Sequence, residues 1–158
     1  MKLSQGVEWG LHCAALLALA PPGMTVRREG LAGHYALPVT YLAKHLQAMA
    51  RAGVLHAVTG PRGGYRLARP PGDITVLDVV EAIEGPAPPF VCQEIRQRGT
   101  GAVPPESCRR PCAIDALMTQ ADRAWRDSLR AVTIADLVDR YPPGLRERNA
   151  ELVAKAAS

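Results

Sequence analysis

The stretch Val54-Leu55-His56-Ala57-Val58, Gly60-Pro61-Arg62-Gly63-Gly64, Tyr65-Arg66-Leu67-Ala68 decides how this chain is read. Two short apolar runs flank a turn rich in glycine and proline, which is the pattern of a β-hairpin. The tip is basic and glycine-rich, so it can approach another molecule without bulky side chains in the way. Immediately upstream, Pro38–Ala52 reads as a helix. Pro38 suits a first helical turn, and Gly53 stands just past the end. Its apolar positions Val39, Leu42, Leu46, Met49 and Ala50 fall on one stripe. Thr40, Tyr41, Lys44, Gln47 and Arg51 are left for other faces.

A shorter helix is expected from just after Thr25 to about Gly33, with a turn through His34–Leu37. Helix, turn, helix, hairpin is the order of a winged helix-turn-helix. A helix in that position fits the major groove and presents Thr40, Tyr41, Lys44 and Gln47 to phosphates and base edges. The wing, with Gly63 and Gly64 at its tip, lets Arg62 reach a phosphate or the narrow groove. Charge agrees with this reading. Between Thr25 and Arg69 there are seven Lys/Arg and one acid, whereas the whole chain of 158 residues carries only +4. A local surplus of that kind suits double-stranded DNA. A small α+β domain with an ordinary hairpin would show the same order without the basic bias.

Working outward, Ser4 is placed to cap a first helix running to about Ala20, stopped by Pro21-Pro22-Gly23. The segment Leu11–Ala20 imitates a signal peptide, but Gln5, Glu8 and His12 interrupt it and Pro21 follows. A cytoplasmic protein is expected, and no apolar run reaches the length of a membrane span. Thr75 and Asp78 form a capping box opening a helix to about Glu84, ended by Gly85. Residues 86–111 are Pro-rich and irregular, too long for a plain connector. A long helix starts near Cys112, with a stripe of Ile114, Leu117/Met118, Ala121, Ala124/Trp125 and Leu129. Such a stripe suits a dimer helix, though a core helix would look the same. Thr133 and Asp136 cap a last short helix ending near Tyr141. Pro142-Pro143-Gly144 closes the domain, and Leu145–Ser158 reads as a loosely attached helical tail.

Of four cysteines, Cys13 lies in an apolar helical run and is expected to be a buried free thiol. Cys92, Cys108 and Cys112 are separated by fifteen and three residues. That is not a zinc-finger spacing, because the close Cys-x2-Cys pairs are missing. Three thiolates on a flexible loop suit an iron–sulfur cluster. Free or redox-paired cysteines are the alternative. The chain has no phosphate-binding glycine loop, no G-x-S-x-G and no H-E-x-x-H, so an enzyme is not expected.

The run Gly60–Arg69, followed by Ile74-Thr75-Val76-Leu77-Asp78-Val79-Val80-Glu81-Ala82-Ile83-Glu84-Gly85, strongly resembles the Rrf-two (Rrf2) family of bacterial transcription regulators. Met1-Lys2-Leu3-Ser4 resembles their start, and Tyr41-Leu42 with Leu46 resembles their recognition helix. The resemblance runs from residue 1 to about 140. It implies a mainly α fold with a small β-hairpin wing, and a homodimer joined by the long helix. It further implies binding to an inverted-repeat operator. Four segments follow: a winged helix-turn-helix over 1–85, a cysteine-bearing loop over 86–112, the dimer and short helices over 113–141, and a tail over 142–158.

Cluster-binding members of that family carry three cysteines in this loop, although their spacing is tighter and more even. In one branch a histidine shortly after the last cysteine completes the set, whereas Asp115 stands there here. The nitric-oxide-sensing branch takes a carboxylate from the first helix of the partner subunit, where this chain has Glu8. His12 lies four residues on, so both share a helical face. A [2Fe–2S] cluster needs four protein ligands. Glu8 and His12 from one chain with Cys108 and Cys112 from the other make four, and Cys92 is the reserve ligand. The combination looks most like the redox-sensing [2Fe–2S] branch. Trp9, adjacent to Glu8, is the candidate switch between cluster and DNA helix, with plain core packing as its alternative. The competing function is a cluster-free regulator whose cysteines sense oxidants directly.

Overall fold

The structure, a computed structural model, describes residues 2–61 and 63–156. Helices α1 (Gln5–Ala18), α2 (Arg28–His34) and α3 (Val39–Arg51) precede strands β1 (Leu55–Val58) and β2 (Gly64–Leu67). Then come α4 (Val76–Glu84), α5 (Ala113–Arg130), α6 (Ile134–Asp139) and α7 (Pro143–Ala156). The strands pair antiparallel, Leu55 opposite Leu67 and Val58 opposite Gly64. The chain forms two compact units. One joins Lys2–Pro86 to the residues from Leu129 onward, and the other is Ala87–Ser128.

In the larger unit α1 packs against α3, α4, α6 and α7. Its contact face is built from small residues. A β-carbon on Gly10 would come within 2.5 Å of the Ile83 side chain and 3.2 Å of the Met49 sulfur. Cys13, Ala14 and Ala15 are fully buried beside it. The core continues through Leu31, Leu42, Leu46, Met49, Ile74 and Val79, nearly all aliphatic, as a chain with one phenylalanine and two tryptophans requires.

Local signals place most helix ends. Both capping boxes are present: the Asp78 and Asp136 backbone N–H groups donate to the Thr75 and Thr133 hydroxyls, each at 3.1 Å. These two caps also meet, since Ile134 N–H donates to the Ile74 carbonyl (2.8 Å) and Val76 N–H to the Val132 carbonyl (2.8 Å). The wing is braced in the same way: Val26 and Tyr65 exchange two backbone hydrogen bonds at 2.9 and 2.8 Å.

Four expectations change. Ser4 occupies the N-cap position of α1, but its hydroxyl does not cap. Hydroxyl and backbone N–H both donate to the Glu84 carboxylate, at 2.6 and 2.9 Å, because an ionised acceptor binds more strongly than a neutral one. Val39 leaves the buried stripe of α3 and is exposed, being in the first turn where the helix has just left the core. Pro143-Gly144 does not close the domain but opens α7, since proline is tolerated where the N–H has no helical partner. Finally, the tail is not loose: Val153 and Asn149 of α7 are buried in the larger unit.

Two glycine substitutions separate packing from propensity. At Gly64 a β-carbon would stand 2.5 Å from the Val26 carbonyl oxygen, so Gly64→Ala should lower the thermal unfolding midpoint. At Gly33 in α2 there is open space. Gly33→Ala should therefore raise stability, by up to about 1 kcal/mol in urea unfolding.

Candidate nucleic-acid interface and cysteine loop

Helix α3 has two faces. Leu42, Leu46 and Met49 are completely buried, and Thr40, Tyr41, Lys44, Gln47 and Arg51 are exposed. The sequence-predicted contacts therefore lie together on one open face. Tyr41 is 61% exposed, and the Lys44 ammonium sits 5.3 Å from its ring centre. Of the other basic residues nearby, Arg28 pairs with Glu29 (2.6 Å) and Arg69 with Asp78 (3.2 Å). Arg27 donates to the Pro61 carbonyl (3.0 Å) and so ties the start of α2 to the wing. Lys44, Arg51 and Arg66 are exposed and have no carboxylate partner among the described residues, so their charge is not neutralised within the chain. Arg66, exposed on β2, was not singled out by sequence reasoning; its outward register in the hairpin was the available signal.

Arg62 lies outside the described residues. Gly63 and Gly64 are accounted for by the hairpin itself. Side chains there would strike the Val58 and Val26 carbonyl oxygens. They keep the wing thin rather than contributing a donor of their own.

On α1, Glu8 and His12 are both exposed and share a face, while Trp9 turns inward. The Trp9 ring meets the His45 imidazole edge-on, with centroids 6.0 Å apart and planes at 83°. The same imidazole fills the notch left by Gly6, where a β-carbon would collide with it. His45 sits on α3 between Lys44 and Gln47. Trp9 thus touches the reading helix through a residue that no sequence motif marked.

The smaller unit holds Cys92, Cys108 and Cys112, all half-buried free thiols. Residues 87–112 contain only short 3-10 turns, at Ile95–Gln97, Gly99–Gly101 and Pro105–Cys108. Arg96 organises them. Its guanidinium is clamped by the Glu94 carboxylate at 2.5 and 2.7 Å and reaches the Arg110 carbonyl at 3.4 Å. Its charge acts on both Cys108 and Cys112. Cys92 and Cys112 line a common apolar hollow of about 300 Å³ with Phe90, Ile95, Arg96 and Ile114. Cys112 stands just before α5, and the backbone N–H groups of Asp115 and Ile114 hold its thiol below the usual range, helped by Arg96. Cys13 is the opposite case, pushed up to about 12 by burial. At the far end of this unit the half-buried Arg126–Asp122 pair (2.7 Å) ties α5 to the Ala87 carbonyl. Among the described residues no three His, Cys, Asp or Glu side chains of one chain converge at metal-ligand distance.

The family model Rrf2, described as an iron-dependent transcriptional regulator, matches residues 3–140. The chain belongs to the Rrf2 family. It is a DNA-binding transcriptional regulator and not an enzyme. It is 30% identical over 139 residues to YffB, a candidate HTH-type transcriptional regulator of Lactococcus lactis, covering 88% of each chain. It is 33% identical to the protein aau3 of Rhizobium meliloti, covering 90% of this chain and 88% of that one. Solved structures share the fold. CymR, the global cysteine regulator of B. subtilis, has a TM-score of 0.67 at 23% identity over 90% of this chain and 99% of its own. IscR of T. potens has 0.64 at 22% identity over 93% and 96%. The mainly helical winged-helix fold is that of these regulators.

Two outcomes follow for this Rrf2 regulator. Lys44→Ala should weaken binding to specific and random DNA alike and reduce the salt slope by about one ion, as loss of one phosphate contact does. An unchanged slope in a fluorescence-anisotropy titration would remove Lys44 from the interface. In metal-free protein treated with iodoacetamide, Cys112 should alkylate at pH values below its ordinary 9.0, while Cys13 stays unmodified until the protein unfolds. Peptide mass mapping reads both.

Proposed function

We propose that the chain is a cytoplasmic homodimeric regulator whose operator binding is controlled by a [2Fe–2S] cluster shared between subunits. The observation that carries it is the contact of Trp9 with His45, which joins the Glu8/His12 face of α1 to the reading face of α3. The donor set fits such a cluster. Cys108 and Cys112 lie beside one cationic guanidinium, and the thiol of Cys112 is eased toward thiolate. Glu8 and His12 are open on the first helix. Cys108 and Cys112 of one chain would hold it with Glu8 and His12 of the partner subunit, and Cys92, which shares a hollow with Cys112, is the alternate. When bound, a [2Fe–2S] cluster supplies reversible one-electron chemistry whose potential rises with imidazole ligation.

The chain's own part is mechanical and electrostatic. Arg96, itself fixed by Glu94, offsets negative charge gathered at Cys108 and Cys112. A change in the pull on Glu8 and His12 turns α1, and Trp9 passes that turn to His45 and so to Lys44 and Gln47. A difference of a few kcal/mol between two arrangements is enough to change operator occupancy.

Dimerisation rests on α5, where Ile114 and Leu117 are more than 60% exposed and Met118 37%. An apolar row of that kind in a helix with no buried residue fits a second copy of the same helix. Two reading helices would then meet an inverted-repeat operator about 34 Å apart, or at a multiple of that. A second reading, direct thiol sensing by Cys108 and Cys112 without a cluster, is favoured by the lowered Cys112 thiol alone.

Anaerobic purification should yield iron and acid-labile sulfide with charge-transfer bands. Cys108→Ala and Cys112→Ala should lose both, and Cys92→Ala should keep them. Glu8→Ala or His12→Ala should alter the spectrum or the redox dependence of DNA binding. Iron-free wild-type protein that still responds to oxidant would establish the thiol reading instead. Trp125→Glu should shift the sedimentation of the dimer toward monomer, because an unpaired charge is costly where apolar surface is covered.

A further inference from the structure

Within the larger unit, α1, α2 and α7 border a cavity of about 570 Å³ that takes no part in DNA reading and touches the proposed cluster ligands only at His12. Its lining includes His12, His34, Tyr35, Tyr141, Arg148 and Asn149. Three observations mark it as a built site. Asn149 is buried, with 7% of its surface exposed, and it lines the cavity. An amide in a cavity wall offers a ligand both a donor and an acceptor. Arg148 has no carboxylate partner among the described residues, and no acidic side chain lines the cavity. The rings are pinned in place. Tyr35 donates its hydroxyl to the His12 carbonyl (3.1 Å), and its ring meets His34 at 4.5 Å and His12 at 5.3 Å.

We infer that this cavity binds a small aromatic carboxylate, with Arg148 and Asn149 holding the carboxyl group and the tyrosine and leucine side chains holding the ring. The volume lies in the range of small-molecule sites, which combine an apolar lining with a few polar anchors. The planar guanidinium matches a carboxylate through two parallel hydrogen bonds, and the neighbouring amide adds a donor. Leu145 and Leu152 of α7 face the same space as Tyr35 and Tyr141, so a flat apolar body has partners on several sides. Burial and the nearby Arg148 charge hold His34 below the ordinary imidazole range. That shift favours the neutral imidazole, and Arg148 is the arginine among the lining residues. Helix α2 is the first helix of the DNA-reading pair, so a ligand bridging α2 to α7 acts on the element that supports α3. That last consequence rests on the DNA-binding assignment, but the binding itself does not.

Isothermal titration calorimetry on the full-length protein as isolated tests it, with indole-3-acetate and 4-hydroxybenzoate as probes. Their uncharged amides and inorganic phosphate serve as controls. Saturable binding of at least one acid is expected, with its amide weaker by about tenfold or more, as loss of a charge-assisted anchor implies. Arg148→Gln, at an exposed helical residue, should weaken binding by a similar factor. Gly33→Leu, where open space admits a side chain, should fill the cavity and abolish binding. Circular dichroism checks that both variants are folded. The inference is overturned if neither acid binds at millimolar concentration, or if amides or phosphate bind equally well. Binding that survives both substitutions overturns it too. So does a pair of variants that change only the monomer–dimer equilibrium, since a second copy would then occupy the cavity. Because calorimetry reads no DNA, a failed operator assay leaves this result intact, and the reverse.

Discussion

The close approach of α1 to α3 and α4 is the constraint on which the rest of the larger unit depends. Two glycines one helical turn apart remove the β-carbons that would hold the helices apart. His45 fills the notch at Gly6, and Ile83 with Met49 fills that at Gly10. Behind them Cys13, Ala14 and Ala15 complete a face of small residues with no accessible surface to speak of. Close-packed interiors do not deform gradually; they shift as blocks. A helix gripped this tightly is held in register with α3, and the His45 imidazole packs against both Trp9 and Gly6 of α1.

Environment, not residue type, separates the cysteines. Cys13 is a filler of that small-residue face, and burial pushes its thiol up to about 12. Cys108 and Cys112 lie in the other unit beside a guanidinium, and Cys112 also meets the free N–H groups at the start of α5. The same contrast holds for the basic residues between Thr25 and Arg69. Arg28 and Arg69 spend their charge on Glu29 and Asp78, and Arg27 braces the wing, so the exposed potential comes from fewer side chains than the count of seven.

Much of the fold was legible because its signals are local. Capping boxes at Thr75/Asp78 and Thr133/Asp136 involve residues three apart, and their hydrogen bonds form in the structure as the spacing requires. The stripe Leu42, Leu46, Met49 and the open face Thr40, Tyr41, Lys44, Gln47 follow from helical period alone. The wing follows from the turn residues between two short strands. Ser4 shows the limit of such signals: its position is that of a cap, but a carboxylate eighty residues away takes its hydroxyl.

By itself the sequence determined the order of helices and hairpin, the basic bias of the reading region, and three loop cysteines ahead of an amphipathic helix. Each of these depends on neighbours within a turn or a hairpin. Only the tertiary structure decided that His45 receives Trp9, that Arg96 lies near both Cys108 and Cys112, and that α7 folds back to bury Val153 and leave Asn149 at a cavity. For His45 and α7 the partners are tens of residues apart or more. For Arg96 it is the irregular course of the loop. No periodicity or motif encodes which side chains a fold brings into one another's reach.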